Sequence, residues 1–252
     1  MSIPSRPNSD QSIDWREQYM EKYYYRRPGF QSPKEHWFEL LRRYVPKGVS
    51  VLEIGGGPTT NTTKELRQRA AEIVGLDIDP IVSKNSFLDK GIVYDGESFP
   101  FPNESFNVAI SHWVNEHVVR PRLHFREIHR VLVPGGLYIF RTVNLHHYKT
   151  IIARVTPHAL QVPLVKWLQH HARDEHDAYP TCYRVNTRRR IESLCGKTGF
   201  KVDFLQFSEL HPSYGMGSRL MFRGFMWYER LVNSSTRFEG LRHTIDCVAI
   251  KT

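Results

Sequence analysis

Val51-Leu52-Glu53-Ile54-Gly55-Gly56-Gly57-Pro58 is an apolar run that reaches a carboxylate and then breaks into three consecutive glycines. The run reads as a buried strand, and a turn without side chains lets a nucleoside lie against bare backbone. Two further runs end the same way: Ile73-Val74-Gly75-Leu76-Asp77 closes on one carboxylate and Ile92-Val93-Tyr94-Asp95 on another. Ligands of open parallel sheets bind beyond the carboxyl ends of the strands. Glu53 to Gly57, Asp77, Asp95 and Ser111 to Trp113 are therefore expected to converge on one site. A dinucleotide turn would read G-x-G-x-x-G; here the sixth position is Thr60, which argues against that ligand.

Outward from this stretch, hydrophobic patterning predicts strands at 49–54, 72–77, 91–94, 105–111 and 136–142, with helices at about 60–70, 80–87 and 121–130. Such alternation calls for a parallel sheet with helices on both faces. Thr62-x-x-Glu65 resembles a capping box for the first of these helices, with Thr59 or Thr60 as alternative caps. Pro134-Gly135-Gly136 reads as the turn into the fifth strand. Ahead of the sheet, Trp15 to Arg27 and Lys34 to Tyr44 read as helices that could lie over the cofactor. Tyr19, Tyr23, Tyr24 and Tyr25 are candidates for that cover, with core packing the simpler role.

Beyond Asn144 the pattern changes. Tyr148 to His171 reads as a helical stretch broken by Pro157 and Pro163, followed by a polar loop from His170 to Asp177. A helix at about 187–196, a strand from Lys201 to Gln206, a loop from Pro212 to Gly217, an amphipathic segment from Met221 to Val232 and a closing strand from His243 to Lys251 follow. The expected organisation is one domain: a helical cover over 1–48, a cofactor-binding core over 49–143 and an acceptor-binding elaboration over 144–252.

With 252 residues, 40% of them hydrophobic, the chain can bury a substantial core. The polar start and the lack of a long apolar run lead us to expect a soluble, cytoplasmic protein. Cys182, Cys195 and Cys247 are three in number and far apart, which suggests neither a disulfide framework nor a zinc site. The net charge of +9 is diffuse, with Arg188-Arg189-Arg190 its only tight triplet. Nucleic acid is therefore not the expected partner.

Five segments together resemble the class I S-adenosylmethionine-dependent methyltransferases. They are the opening stretch, Gly75-Leu76-Asp77-Ile78-Asp79-Pro80, Asp95 to Phe106, Glu116-His117, and Arg126-Glu127-Ile128-His129-Arg130-Val131-Leu132-Val133-Pro134-Gly135-Gly136. Within the superfamily the chain looks most like the group holding quinone-biosynthesis, natural-product and sugar methyltransferases. The resemblance covers about residues 49–143. It implies a seven-stranded, Rossmann-like, doubly wound α/β sheet whose last strand inserts antiparallel, with an N-terminal helical cover and a C-terminal helical and loop insertion. It implies that S-adenosylmethionine meets Glu53 and the Gly55, Gly56 and Gly57 turn, and that Asp77, followed by Ile78, accepts from both ribose hydroxyls. Asp95 would accept from the adenine amine with Gly96 near the ring, and Ser111 to Trp113, His112 among them, would flank the sulfonium. Two positions depart from the family: Pro58-Thr59 stands where a further glycine is frequent, and Asn107 where an aspartate is usual.

A hydroxyl acceptor benefits from a general base. His112, directly after the fourth strand, is the first candidate, against a role in packing. His117, on a helix, is the second, against a structural role. His146, His147 and His176 are unranked. In Tyr179-Pro180-Thr181-Cys182-Tyr183-Arg184-Val185-Asn186-Thr187, Tyr183 and Arg184 could clamp a sugar or an anionic carrier, while Asn186 or Thr187 caps the next helix. An Asn/Asp-Pro-Pro-aromatic motif, typical of amine-directed nucleic-acid enzymes, is absent after the fourth strand, and so is a cluster of acidic metal ligands; no metal is expected. These features point to metal-independent methylation of a small-molecule or glycan acceptor, with a hydroxyl oxygen the expected target. Alternatives are a lipid-linked acceptor, suggested by the bulky and basic Met221 to Leu231 segment, and a non-catalytic binding protein that keeps the fold.

Overall fold

The computed structural model describes residues 14–58, 60–156 and 179–252. Thr59, Pro157, Pro163, His176 and the loop from His170 to Asp177 lie outside them, so the expectations attached to those residues are not addressed.

Seven strands form one sheet: β1 (Ser50–Ile54), β2 (Glu72–Asp77), β3 (Lys90–Val93), β4 (Phe106–His112), β5 (Leu132–Val143), β6 (Phe200–Ser208) and β7 (Thr244–Lys251). Their order is β3-β2-β1-β4-β5-β7-β6. β1 to β5 pair in parallel, whereas β7 runs antiparallel to both β5 and β6. This is the α/β, Rossmann-like sheet implied by the motifs. The chain builds β2 and β3 to one side of β1 and then reverses to β4 on the other, and that reversal opens a crevice at the carboxyl ends of β1 and β4.

Alternation along the strands feeds two cores. Leu52 and Ile54 join Phe125 and Ile128 of α4 (Pro121–Val131) and Ile191 and Cys195 of α6 (Arg188–Lys197) on one face. Val51, Ile73, Val108 and Ile110 meet Trp37, Phe38 and Leu41 of α2 (Pro33–Tyr44) on the other. Burying an aliphatic side chain on such a face contributes about 1.5–3 kcal/mol, so residues at period two fix which face each strand presents.

The N-terminal helix α1 (Trp15–Met20) widens into a π turn over Glu21–Tyr25. Its rings do not cover the crevice. Tyr24 is buried with Phe222 and Met226 of α7 (Arg219–Asn233), Tyr19 meets Phe222 edge-on at 5.3 Å, and Tyr24 Oη donates to Glu229 at 3.1 Å. Packing against α7 is thus the role of this aromatic stripe.

Two local expectations need correction. α3 spans Asn61–Leu66 and its N-cap is Thr60, whose Oγ1 accepts from Thr63 N at 2.9 Å. Thr62 instead lies inside the helix, its Oγ1 accepting from Trp37 Nε1 at 3.0 Å. The segment Pro134-Gly135-Gly136 belongs to β5, which begins directly after α4, and the irregularity appears as a register shift against β4 between Phe106 and Val108. Gly136 is needed there because a Cβ would lie 2.8 Å from Val133 O and 3.0 Å from Asn107 O. The departure at Asn107 is also explained: its Oδ1 accepts from Ser50 N at 3.0 Å, a task an aspartate oxygen performs equally.

Candidate functional site

A cavity of about 1100 Å³ opens at the carboxyl ends of β1, β2 and β4. Among the described residues its wall begins at Ile54, so neither N-terminal helix reaches it. Gly55, Gly57 and Pro58 come from the first turn, Asp77 and Ile78 from the second, Asp95 and Gly96 from the third, and His112, Trp113 and Val114 from the fourth. The four predicted strand ends therefore do converge. The wall excludes Glu53, Gly56 and Ser111, which lie behind it.

Gly55 has φ +76°, and a Cβ on it would collide with Val114 Cγ2. Its N–H donates to Leu76 O at 2.8 Å, which ties the turn to β2. Gly55→Ala should destabilise the fold by about 1–2 kcal/mol from the left-handed backbone alone, measured by urea unfolding, with the Val114 clash adding to the loss.

Below the turn, Glu53 is buried. Its Oε1 accepts from Thr60 Oγ1 at 2.9 Å, while Oε2 is a buried oxygen with no hydrogen-bond partner among the described residues. Burial raises its pKa to about 7, outweighing the bonds from Thr63 and Thr60 that lower it. A carboxyl whose folded pKa exceeds its unfolded value contributes most at low pH and loses that contribution as pH rises toward 7. Glu53→Gln should therefore gain stability relative to the parent at pH 8, on the order of 1 kcal/mol, with the gain vanishing near pH 4. Urea titrations at both pH values check this.

Asp77 faces the cavity with its carboxylate already oriented: Gly57 N donates to Oδ2 at 3.2 Å and Asp79 N to Oδ1 at 3.0 Å. An ionised carboxylate has about four acceptor positions, so one on each oxygen is left for a vicinal diol. Asp95 is set by Glu97 N and Ser98 N, both 2.8 Å from Oδ1, and these bonds hold its carboxyl below the usual range. The loop that follows is clamped to α4. Glu127 Oε2 accepts from Phe99 N at 2.9 Å, while Arg130 donates to Phe99 O at 2.9 Å and Phe101 O at 2.7 Å. Ile78, 51% exposed, offers an apolar platform beside Gly96, where a Cβ would meet Ile78 Cγ2 at 3.5 Å.

His112 stacks on Trp37 at 5.0 Å and 16°. Burial, with the nearby Arg141 charge, pushes its pKa down to about 3. Trp37 in turn lies under the guanidinium of Arg141, 5.0 Å from its ring centre. Arg141 is fully buried and pairs with Asp246 through Nε at 2.6 Å and Nη2 at 2.8 Å, while Nη1 donates to Pro33 O at 2.7 Å. Trp113, next in the chain, has φ +61°, a strained backbone for a bulky residue at the cavity wall. Ser111 Oγ lies 2.9 Å from Tyr138 Oη in the core. His117 lines the cavity with Nδ1 3.0 Å from Pro180 O.

The segment from Tyr179 crosses the mouth. Tyr179 Oη donates to Asp79 Oδ2 at 2.9 Å, and Cys182 N and Tyr183 N both donate to Glu116 O, at 2.7 and 3.0 Å. Tyr183 faces the cavity at φ +50°, whereas Arg184 Nη1 donates to Val119 O at 2.6 Å. Thr187 caps α6, its Oγ1 accepting from Arg190 N, and Asn186 is buried, donating to Thr142 Oγ1 and Val143 O. Sequence reasoning missed Lys149 on α5 (Tyr148–Val155) and His243 before β7, both on the wall. The available hint was a lysine amid Thr150 and Ala153 on one helical face. Among the described residues no group of three or more His, Cys, Asp or Glu is placed to hold a metal ion, and no helix is long and apolar enough to cross a membrane.

Residues 52–140, the stretch holding all four of these strand ends, match the family model described as a methyltransferase domain. Over that stretch the chain is similar to methyltransferase domains, and its strand order with an antiparallel β7 is that of the Rossmann-like methyltransferase fold. It is 32% identical over 120 residues to an uncharacterized protein of Methanocaldococcus jannaschii, a match covering 46% of each chain. It is 37% identical over 99 residues to an uncharacterized methyltransferase of Mycobacterium sp. (strain JLS), covering 38% of this chain and 39% of the relative. The matched stretches thus span about half or less of those relatives. The fold is shared with a Haloferax volcanii protein solved in complex with the Trm112 methyltransferase activator. That match has a TM-score of 0.57 and 17% identity, and it covers 93% of this chain and 92% of that one. S-adenosylmethionine, the cofactor of the domains this stretch resembles, fits the cradle: a turn whose Gly55 has no room for a side chain, a pre-oriented carboxylate for a diol, and an apolar platform beside a glycine for a planar base.

Proposed function

We propose that this chain binds S-adenosylmethionine along Gly55, Gly57, Asp77, Ile78, Asp95 and Gly96 and methylates a small-molecule acceptor, with a hydroxyl oxygen the expected target. The observation that carries this is Asp77, held by Gly57 N and Asp79 N with its remaining acceptor positions toward the cavity. The cofactor supplies a methyl on a positively charged sulfur, so the protein's part is orientation and exclusion of water. Gly55 and Gly57 admit the ligand to the backbone, Asp77 fixes the sugar, and the strap from Tyr179 to Tyr183 shields the mouth. His112, whose pKa burial lowers to about 3 and whose ring stacks on Trp37, is too weakly basic to take up the acceptor's proton and acts in this reading as a wall. Pro58 on the cavity wall leaves Gly57, at φ +39°, free to bond Asp77, which supports a working turn despite its departure from the family. Titration calorimetry with S-adenosylmethionine tests the reading; micromolar binding is expected, and absence of binding favours a non-catalytic partner protein.

A lipid-linked acceptor is the second reading. It is favoured by α7, which buries Phe222 and Met226 yet leaves Leu220 80% and Trp227 70% exposed beside Arg223 and Arg230. Sedimentation with anionic vesicles decides it, since the small-molecule reading expects the protein to stay in the supernatant.

A further inference from the structure

The strap across the cavity mouth leads into a group of arginines that the cofactor reading leaves unused. Arg184 Nη1 donates to Val119 O at 2.6 Å, and Arg190 Nη1 donates to Tyr183 O at 2.8 Å. Val119 and Tyr183 are both wall residues, so the two guanidinium groups stand at the cavity rim. Each bond spends one N–H on a backbone carbonyl and fixes the fork, leaving the other donors of the group uncommitted among the described residues.

Two helices begin at the same rim. α4 supplies Leu123 and His124 to the wall from its first turn, and α6 starts shortly after Tyr183. They share one core through Phe125, Ile128, Ile191 and Cys195, which sets their first turns side by side. A helix N-terminus favours acidic side chains, because the backbone dipole is positive there. Neither first turn has one: Arg122 stands in that of α4, and Arg188, Arg189 and Arg190 in that of α6.

The carboxylates around these turns are already engaged. Glu97 pairs with Arg120 at 2.7 Å and Glu127 with Arg130 at 2.7 Å, while Glu192 and Glu239 both meet Arg188, at 3.7 and 2.9 Å. Arg122, Arg184, Arg189 and Arg190 are exposed and make no ion pair among the described residues. Cations gathered at two helix starts repel one another and oppose both dipoles, a cost to the fold that an anionic ligand offsets.

We propose that the acceptor carries a phosphate, held at the cavity rim by Arg184 and Arg190 with Arg122 and Arg189 beside them, while the group to be methylated passes Tyr183 into the cavity. This rests on the methyltransferase reading and narrows its acceptor class. A planar guanidinium fork meets two oxygens of a phosphate at once. A phosphate ester at pH 7 brings about two negative charges and several acceptor oxygens to such a cluster. A single carboxylate would leave most of these arginines unmatched.

The test uses the full chain saturated with S-adenosylhomocysteine, with phenyl phosphate and phenol as calorimetric probes at pH 7 and fixed ionic strength. Phenyl phosphate is expected to bind at least tenfold more tightly than phenol, and to shift the Nε–H resonances of Arg184 and Arg190. Arg184→Gln combined with Arg190→Gln should lose at least tenfold for phenyl phosphate while keeping its affinity for S-adenosylhomocysteine. The paired lysine replacements, which keep charge but not the fork, should fall between. Lys47→Gln combined with Lys201→Gln removes as many cations from the amino edge of the sheet, opposite the cavity, and should leave both affinities unchanged. Equal binding of the two probes, binding of neither, or an equal loss in the Lys47 and Lys201 variant overturns the proposal. A short single-stranded RNA retained at physiological salt would overturn it in favour of a nucleic-acid surface. The ratio of the two probes on the parent protein decides even where the arginine variants fail to fold. Failure of S-adenosylhomocysteine itself to bind would overturn the methyltransferase reading, a separately visible outcome.

Discussion

Asp77→Ala is expected to reduce S-adenosylmethionine affinity by a factor of 100 or more. Each hydrogen bond from a ribose hydroxyl to an ionised carboxylate is worth about 1.5–3 kcal/mol, and the substitution removes two. It also releases Gly57 N, which donates to Oδ2, and Asp79 N, which donates to Oδ1, so the first and second turns lose their shared anchor. Asp77→Asn keeps one acceptor oxygen and should fall between the parent and the alanine variant. Calorimetry gives the three affinities, and unfolding curves confirm that Asp77→Ala remains folded. An alanine variant that binds like the parent would remove Asp77 from the site.

Asp246→Ala should lower stability by about 3–5 kcal/mol, the cost of leaving a buried charge without its partner. Arg141 is 1% exposed, and both of its bonds to a carboxylate go to Asp246. The loss is a large share of the 5–15 kcal/mol typical of a folded domain, and urea unfolding measures it. The same pair sets a response to acid. Burial alone would raise the Asp246 pKa, but hydrogen bonds from Arg141 and His36 and their charges outweigh it and hold it below the ordinary value. A depressed folded pKa gives stability that is complete above the unfolded value near 4 and is lost as pH falls through the folded one. The parent should therefore lose stability below about pH 4 more steeply than Asp246→Ala.

The sheet was legible because its strands obey simple rules. Val51 to Ile54, Ile73 to Asp77 and Phe106 to Ser111 are apolar runs between turn residues, and their observed limits fall within a residue or two of expectation. The convergence of Gly55, Gly57, Asp77 and Asp95 followed from sheet topology, since each stands at a strand's carboxyl end. The cap of α3 was ambiguous because Thr60, Thr62 and Thr63 are chemically alike, and the bond between Thr60 and Glu53 that distinguishes them is tertiary. The N-terminal tyrosines gave no indication of which surface they cover, since their partner, α7, lies some 200 residues away. Lys149 was illegible for a related reason: the groups it interacts with electrostatically, Glu209, His211 and His243, come near it only when β6 and β7 are in place.

The Arg141 pair has a temporal meaning as well. Its two partners are separated along the chain by 105 residues, and its contact with Pro33 O spans 108. During synthesis the guanidinium therefore emerges long before the carboxylate that neutralises it, and the Arg141–Asp246 bridge can form only once β7 has been translated. The central ion pair is thus among the last contacts the emerging chain can make, as expected for a topology rich in long-range contacts.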